Sequence, residues 1–374
     1  MCEDIICLSI IKNNPGRVLL VKLDAIGDFV VWLGSAKLLK SLFPDRFIYL
    51  VCDHSVAEIA SSIGYFDTVI SVDCRKFQFD WIYRFKVLRR VRQLGCQCSI
   101  QPTHSRRFLL GESMIRCSGA RHRIGSSGDL SNMSVLEKWL ADRWYTLLLP
   151  ASSFPLSELQ RHHEFLHHFG VNDPSPTLAD LPIAPWPKHV DKPSGSYLVL
   201  FPGAGAILRR WPPERFAALA IALHTSHGLQ PVICGSGADA AMGEAIAAQL
   251  GNLPVTNLCG ATSLLELIGV ISSADLLVAN ETSASHIAAA TGTPSICLLG
   301  GGHFGRFMPY PGASPQPHPV AVYRSMPCFH CNWQCIHPLE PDAPAPCLEA
   351  ITVDMALNAA QQALALGRRH LAAQ

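Results

Sequence analysis

The residues best suited to chemistry fall into five groups. In Lys22-Leu-Asp24-Ala-Ile-Gly27-Asp28, a strand-like run delivers two carboxylates to its carboxyl end, just ahead of a helix. Open α/β sheets gather their functional groups at that place. Gly27 lets the backbone turn tightly, and Asp28 could take a proton from a hydroxyl nucleophile. Asp24 has an equal claim to be a helix cap. In Phe201-Pro-Gly203-Ala204-Gly205, glycines allow close backbone approach. The following Arg209-Arg210 can clamp a phosphate through paired hydrogen bonds, with a solvated loop as the structural alternative.

Glu281-Thr282-Ser283-Ala-Ser285-His286 runs from a strand into a helix. Thr282 or Ser283 should cap that helix, whose exposed N–H groups favour an anion. Glu281 could accept hydrogen bonds from sugar hydroxyls, and His286 could equally be a satisfied core histidine. Gly300-Gly301-Gly302 ends the next strand and could wrap a diphosphate with its amides. Gln101-Pro-Thr103-His104-Ser-Arg106-Arg107 follows another strand and could present a basic rim to an acidic acceptor, or simply be solvated. Last, Cys328, Cys331, Cys335 and Cys347 place four sulfurs within twenty residues, enough to close a tetrahedral thiolate site holding zinc or iron. His330 and His337 are possible substitute ligands. Labile disulfides or unpaired thiols are the alternative.

Positioning these groups requires a repeated strand–helix alternation. Arg17–Leu23 reads as a buried strand, and Phe29, Trp32, Leu33, Ala36 and Leu39 recur at helical spacing up to Pro44. Strands follow at 47–52 and 68–72, with a short helix at 56–63 between them. Residues 183–196, rich in Pro and short polar residues, read as a linker. The alternation then restarts, with strands at 197–201, 231–234, 276–279 and 295–299 and helices at 213–224, 264–272 and 283–290. A final helix carries Val353, Leu357, Ala360 and Leu364 on one face. The expected class is α/β, two doubly wound halves with helices on both sheet faces and a site in the cleft between them. Residues 1–16 read as a loose leader.

Of the 374 residues, 49% are hydrophobic and 16% charged, which suits a large core and excludes a disordered chain. The net charge of +1 gives no electrostatic reason to expect nucleic acid binding. No apolar run approaches the ~20 residues that span a bilayer, and no secretory signal is legible, so the reading is cytoplasmic. A reducing compartment disfavours disulfides among the 14 cysteines.

These motifs, in this order, resemble glycosyltransferase family nine, the ADP-heptose:lipopolysaccharide heptosyltransferases, over roughly residues 17–310. The resemblance rests on Ile26-Gly27-Asp28, on Pro202-Gly203-Ala204 with Arg209-Arg210-Trp211-Pro212, on Cys259-Gly260-Ala261-Thr262-Ser263, and above all on Glu281 to Pro294. It implies the GT-B fold, two Rossmann-like domains facing across a cleft. Residues 1–190 would be the acceptor-side domain. Residues 191–350 would bind the nucleotide sugar and carry the cysteine finger at 326–348. Residues 351–374 would form a helix able to pack back on the first domain. The implied activity is inverting transfer of a heptose or related sugar from an ADP-sugar to a hydroxyl of lipopolysaccharide core or another surface glycan.

In that scheme Asp28 is the general base and Arg209, where the family usually has lysine, neutralises the diphosphate. Glu281 stands where the family usually has aspartate, and Ser283 where it has glycine. Donor contacts would come from Gly203, Ala204, Arg209, Glu281, Thr282, Ser283, His286 and Gly300–Gly302, and acceptor contacts from Lys22, Asp24, His104, Arg106 and Arg107. No catalytic metal is expected, and no Asp-x-Asp motif stands beside the phosphate site. The finger is similar to the iron-binding finger of the autotransporter heptosyltransferases, which makes protein hydroxyls an alternative acceptor. A sugar-nucleotide epimerase and a catalytically silent scaffold are the rival functions. Expected partners are the ADP-sugar and its acceptor, with peripheral contact to the inner membrane surface and a possible oligomer.

Overall fold

The computed structural model describes residues 16–171, 177–311, 318–340 and 342–372, with the backbone alone for 368–372. The leader read at 1–16 thus lies almost wholly outside the described residues. The chain divides into two compact units, Met1–Ala179 and Asp180–Gln374. The boundary falls just before the Pro-rich segment expected as linker, which belongs to the second unit.

The first unit runs β1 (Val18–Lys22), α1 (Ile26–Leu42), β2 (Ile48–Asp53), α2 (Ala57–Ser62), β3 (Thr68–Val72), α3 (Cys74–Phe79), α4 (Trp81–Gln93), β4 (Cys98–Gln101), α5 (Gly111–Ser118), β5 (His122–Ser126), α6 (Val135–Asp142), β6 (Leu147–Leu149) and α7 (Glu158–His167). Its six strands lie in the order β3-β2-β1-β4-β5-β6, all parallel. In register, Val18 of β1 faces Ile48 on one side and Cys98 on the other.

The second unit runs β7 (Tyr197–Phe201), α8 (Pro213–His227), β8 (Gln230–Ile233), α9 (Ala240–Gln249), β9 (Thr256–Asn257), α10 (Leu264–Ser272), β10 (Leu276–Asn280), α11 (Ser283–Thr291), β11 (Ser295–Leu298), β12 (Val320–Val322), α12 (Pro346–Glu349) and α13 (Val353–Ala372). Its sheet, β12-β11-β10-β7-β8-β9, is again parallel and repeats the same winding.

The central strands are apolar because helices cover both sheet faces. Every residue of β1, β7 and β10 is buried. Local sequence sets the helix ends. Pro213 occupies the first turn of α8, where its missing N–H costs nothing. Gly228 ends the same helix at φ 70°, a conformation that other residues adopt only with strain. The apolar face of α13 lies in the second unit's own core, with Ala356, Ala360 and Ala363 buried beside Leu198, Trp211 and Leu298.

This winding places a topological switch point between β1 and β4 in one sheet and between β7 and β10 in the other. Crevices of that kind, beyond the carboxyl ends of the strands, are where open α/β sheets hold ligands. Of the candidates read from the sequence, Lys22, Asp24 and Asp28 stand at the first of these places, and Gly203, Ala204, Arg209, Glu281, Thr282 and Ser283 at the second.

Candidate functional site

In the first unit, β1 ends at Lys22 and α1 begins at Ile26. The residue preceding α1 is Ala25, and no side chain caps the helix, so Asp24 is not a cap. Its carboxylate instead takes the ammonium of the buried Lys22 at 2.8 Å and the hydroxyl of Thr103 at 2.8 Å. Burial opposes ionisation of Asp24, but Lys22, Thr103 and Arg107 outweigh it and hold the carboxyl below its usual range. Lys22 also lies 5.9 Å from the Trp32 ring centroid. Helix α7 brings in His162, a residue with no sequence signal; burial and the Lys22 charge push its imidazole well down, so the ring is neutral. Asp28 sits half-buried in the first turn of α1, where the helix dipole favours a negative charge.

The rim expected at His104, Arg106 and Arg107 divides. Arg107 is exposed and its charge acts on Asp24. His104 stands 3.7 Å from Asp129, and burial lowers its pKa. Arg106 corrects the expectation. It is 1% exposed, pairs with Glu112 at 3.3 Å and with Asp142, donates to the Ser127 carbonyl and stacks on Tyr145. A guanidinium so enclosed holds core elements together and meets no acceptor.

In the second unit, Asn280 at the end of β10 ties the crevice together. Its amide donates to the Pro202 carbonyl at 2.7 Å and its oxygen accepts from the Trp211 N–H at 3.0 Å. This anchors Pro202-Gly203 beside the arginine loop. A Cβ on Gly203 would stand 2.6 Å from the Asp239 carboxylate, so only glycine allows that approach. Asp239 accepts from the amide and hydroxyl of Ser236, and Arg210 is 3.7 Å away. Ala204 presents its carbonyl to Arg210.

Arg209 reaches across from β7 to β10. It donates to the Glu281 carbonyl at 3.2 Å and lies 3.6 Å from the Glu281 carboxylate. Burial pushes the Glu281 carboxyl up to about 7, against the pull of Arg209 and Arg306. Both Glu281 carboxylate oxygens, Arg209 Nε and Thr282 Oγ1 are buried without a hydrogen-bond partner among the described residues. Thr282 is the residue preceding α11 and makes no side-chain cap. Ser283, next to it, is half-buried. Buried polar atoms left unmatched are costly, and their concentration here marks a place where a polar ligand would complete the set. His286, expected among the donor contacts, has a partner of its own. It hydrogen-bonds the Tyr310 hydroxyl, and burial lowers its pKa to about 4, so it is a neutral core histidine.

The glycine loop takes a different part from the one expected. A Cβ on Gly300 or Gly302 would strike the Trp333 indole at 2.5 or 2.4 Å, and one on Gly301 would strike Phe329 at 2.3 Å. The Gly301 amide donates to Cys347 Sγ, and its carbonyl accepts from His330. The bare glycines are thus the floor on which the cysteine finger rests, and the Gly301 amide is engaged there rather than turned to a diphosphate. Trp333, at φ 62°, lies beneath the Arg209 guanidinium at 5.0 Å, and its Nε1 is buried without a hydrogen-bond partner among the described residues. Sequence reading missed this tryptophan because only docking of the finger brings it to the crevice.

Cys328, Cys331, Cys335 and Cys347 line one small cavity together with His337. Cys328 Sγ lies 3.7 Å from His337 Nε2. Burial, and then the neighbouring Cys328 and Cys331, raise the Cys347 thiol. Among the described residues, no three His, Cys, Asp or Glu side chains are placed so as to hold a metal ion between them.

Two Rossmann-like units, each with polar groups gathered at its switch point, define the GT-B class of sugar-transfer folds. The family model for glycosyltransferase family 9 (heptosyltransferase) matches residues 116–335, and the chain belongs to that family. A curated relative, lipopolysaccharide heptosyltransferase 3 of Escherichia coli, is 36% identical over 174 residues, which cover 46% of this chain and 43% of the relative. Its counterpart from strain K12 is matched over 30% of its length, so the alignment spans less than half of either protein. Among solved structures, the glycosyl transferase family 9 protein from Veillonella parvula matches with a TM-score of 0.72 at 17% identity, covering 94% of this chain and 97% of that one. The iron-containing dodecameric glycosyltransferase TibC of enterotoxigenic E. coli matches with a TM-score of 0.57 at 14% identity, over 94% of this chain and 77% of that one.

Proposed function

We propose that the chain transfers a heptose, or a closely related sugar, from an ADP-sugar to a hydroxyl of lipopolysaccharide core or another surface glycan, with inversion at the anomeric carbon. The observation that carries this reading is the group formed by Arg209, Arg306, Glu281 and Thr282, two cations beside buried polar atoms that have no partner among the described residues, in a chain of the heptosyltransferase family. Solved relatives described as complexes with ADP and with an ADP-fluoroheptose support the choice of donor.

In this mechanism the acceptor oxygen attacks the anomeric carbon as the bond to ADP breaks. Asp28 takes the hydroxyl proton. Arg209, Arg306 and the amides at the start of α11 stabilise the charge on the departing diphosphate, usually the largest catalytic contribution. The guanidinium groups supply that charge in place of a divalent ion. Lys22, Asp24 and Arg107 orient the acceptor. A cytoplasmic site of reaction is part of this proposal. Among the described residues, no helix is long and apolar enough to cross a membrane. A screen of ADP-sugars with mass spectrometric detection tests the assignment. ADP release together with a glycoside product is expected from an ADP-heptose. Isomerised sugar would support an epimerase, and failure to bind any ADP-sugar would support a silent scaffold.

Glu281 gives the site a pH dependence with a definite sign. Below about 7 its carboxyl holds a proton, leaving Arg209 available to a diphosphate; above it, the carboxylate competes for Arg209 and repels the ligand. ADP binding should therefore take up a proton. The wild-type affinity relative to that of Glu281→Gln should fall by up to about tenfold between roughly pH 6 and pH 8. Calorimetry in buffers of different ionisation enthalpy measures both effects, and a pH-independent ratio would remove Glu281 from contact with the diphosphate.

The four thiols around one cavity are soft donors suited to a structural zinc or iron ion, which would draw them into coordination and order a finger poor in regular structure. We propose that Cys328, Cys331, Cys335 and Cys347 hold such an ion, with His337 adjacent. TibC, of similar fold, is described as iron-containing and dodecameric, which supports iron and a higher oligomer. A protein hydroxyl acceptor stays as the second reading, on the likeness of the cysteine finger to that of the autotransporter heptosyltransferases. Purified protein should carry about one metal ion per chain by elemental analysis. Cys331→Ser should lose the metal and lower Tm. Metal-free wild-type protein with an unchanged Tm would refute the site.

A further inference from the structure

Helices α3 and α4 of the first unit carry a surface that the transfer reaction does not use. Residues 74–93 contain seven Lys and Arg (Arg75, Lys76, Arg84, Lys86, Arg89, Arg90 and Arg92) against the single Asp80, in a chain whose net charge is only +1. The Asp80 carboxylate is occupied in capping α4 through the N–H groups of Ile82 and Tyr83. One side of α4 packs on the sheet through Val91, with Tyr83, Val87 and Leu88 partly buried against the same core. The opposite side is open. Phe79 is 77% exposed, Trp81 78%, Phe85 64% and Ile82 49%. Trp81 and Phe85 stand one turn apart, and Lys86, Arg89, Arg90 and Arg92, all exposed, share that arc.

We infer that this face docks on an anionic phospholipid surface, with Trp81, Ile82 and Phe85 at the headgroup boundary and the flanking cations over the lipid phosphates. Large exposed aromatics gathered in one place mark an interaction surface. Their interleaving with arginines is the pattern of a helix lying in the plane of an interface. Thirteen residues of α4 reach about 20 Å along the axis, too short to span a bilayer but suited to lie flat on one. A second copy of the chain is a poor occupant: a two-fold contact would set basic residues against basic residues, and the core of a protein interface is depleted of charge. None of the residues assigned to the transfer lies on this surface, and vesicle binding is read without turnover, so its test does not depend on activity.

Sedimentation with vesicles tests the inference. Wild-type protein should bind vesicles of phosphatidylethanolamine with phosphatidylglycerol, leave pure phosphatidylcholine vesicles largely unbound, and be released by high salt. The double variants W81S/F85S and R89E/R90E should each lose about tenfold or more in vesicle affinity. Their Tm values should be unchanged, because all four side chains are exposed. The single variant R90E, a milder change, should show a smaller loss of the same kind. Three results would each overturn the inference: wild-type protein left free by anionic vesicles, a folded double variant that binds as tightly as wild type, or an oligomer dispersed by W81S/F85S with lipid binding intact.

Discussion

Replacing Asp28 with Asn is expected to lower kcat for sugar transfer by about 10²–10⁴-fold, the usual contribution of a positioned general base. The affinity for ADP should stay within roughly twofold of wild type, because the residues assigned to the diphosphate belong to the other unit and none of them changes. The amide keeps the shape of the carboxylate but cannot take the acceptor proton. Asp28 stands in the first turn of α1, where loss of a charge at the dipole costs about 0.3–1 kcal/mol. Tm read beside kcat separates lost turnover from lost stability. A variant that retains most of its turnover would take Asp28 out of the base role and leave the Lys22–Asp24–Thr103 cluster as the next candidate.

The second large effect is expected at Arg209. Hydrogen bonds to charged groups contribute about 1.5–3 kcal/mol, so Arg209→Ala should weaken ADP binding by about 10–100-fold. It should lower kcat further, since charge on the diphosphate grows as the sugar departs. Alanine also leaves the buried Glu281 carboxyl without its nearest cation, and the already raised pKa should climb again. Arg209→Lys separates these two effects. It keeps a charge beside Glu281 but loses the planar fork that lies over Trp333. Partial affinity with near-normal Tm is expected for the lysine variant. Equal ADP affinity in wild type and Arg209→Ala would move the diphosphate to Arg210 or Arg306.

The two-half α/β architecture was legible because buried parallel strands appear as short apolar runs and the helices between them carry a clear apolar period. The strands at 197–201, 276–279 and 295–299 and the helices at 213–224 and 283–290 match β7, β10, β11, α8 and α11 to within a few residues. Less was readable where elements are short. β6 has three residues, β9 has two, and α9 is a small-residue helix with little contrast between its faces, so no period emerges. For the same reason the stretch between Gln101 and the second unit yielded little, although α5, β5, α6, β6 and α7 lie there.

The chemistry of the site divides in the same way. Residue type and strand-end position were enough to single out Asp28, Arg209, Glu281 and Thr282 as candidates, because a switch point gathers whatever stands at the carboxyl ends of neighbouring strands. Which neighbour each group meets depends on contacts between residues far apart in the chain, and no local pattern encodes those. Tertiary packing alone turned Arg106 inward to Glu112 and Asp142, seated Trp333 against three bare glycines under Arg209, and set Asn280 between Pro202 and Trp211. Burial, a property of the folded chain only, is also what lifts Glu281 toward neutrality and holds His286 uncharged.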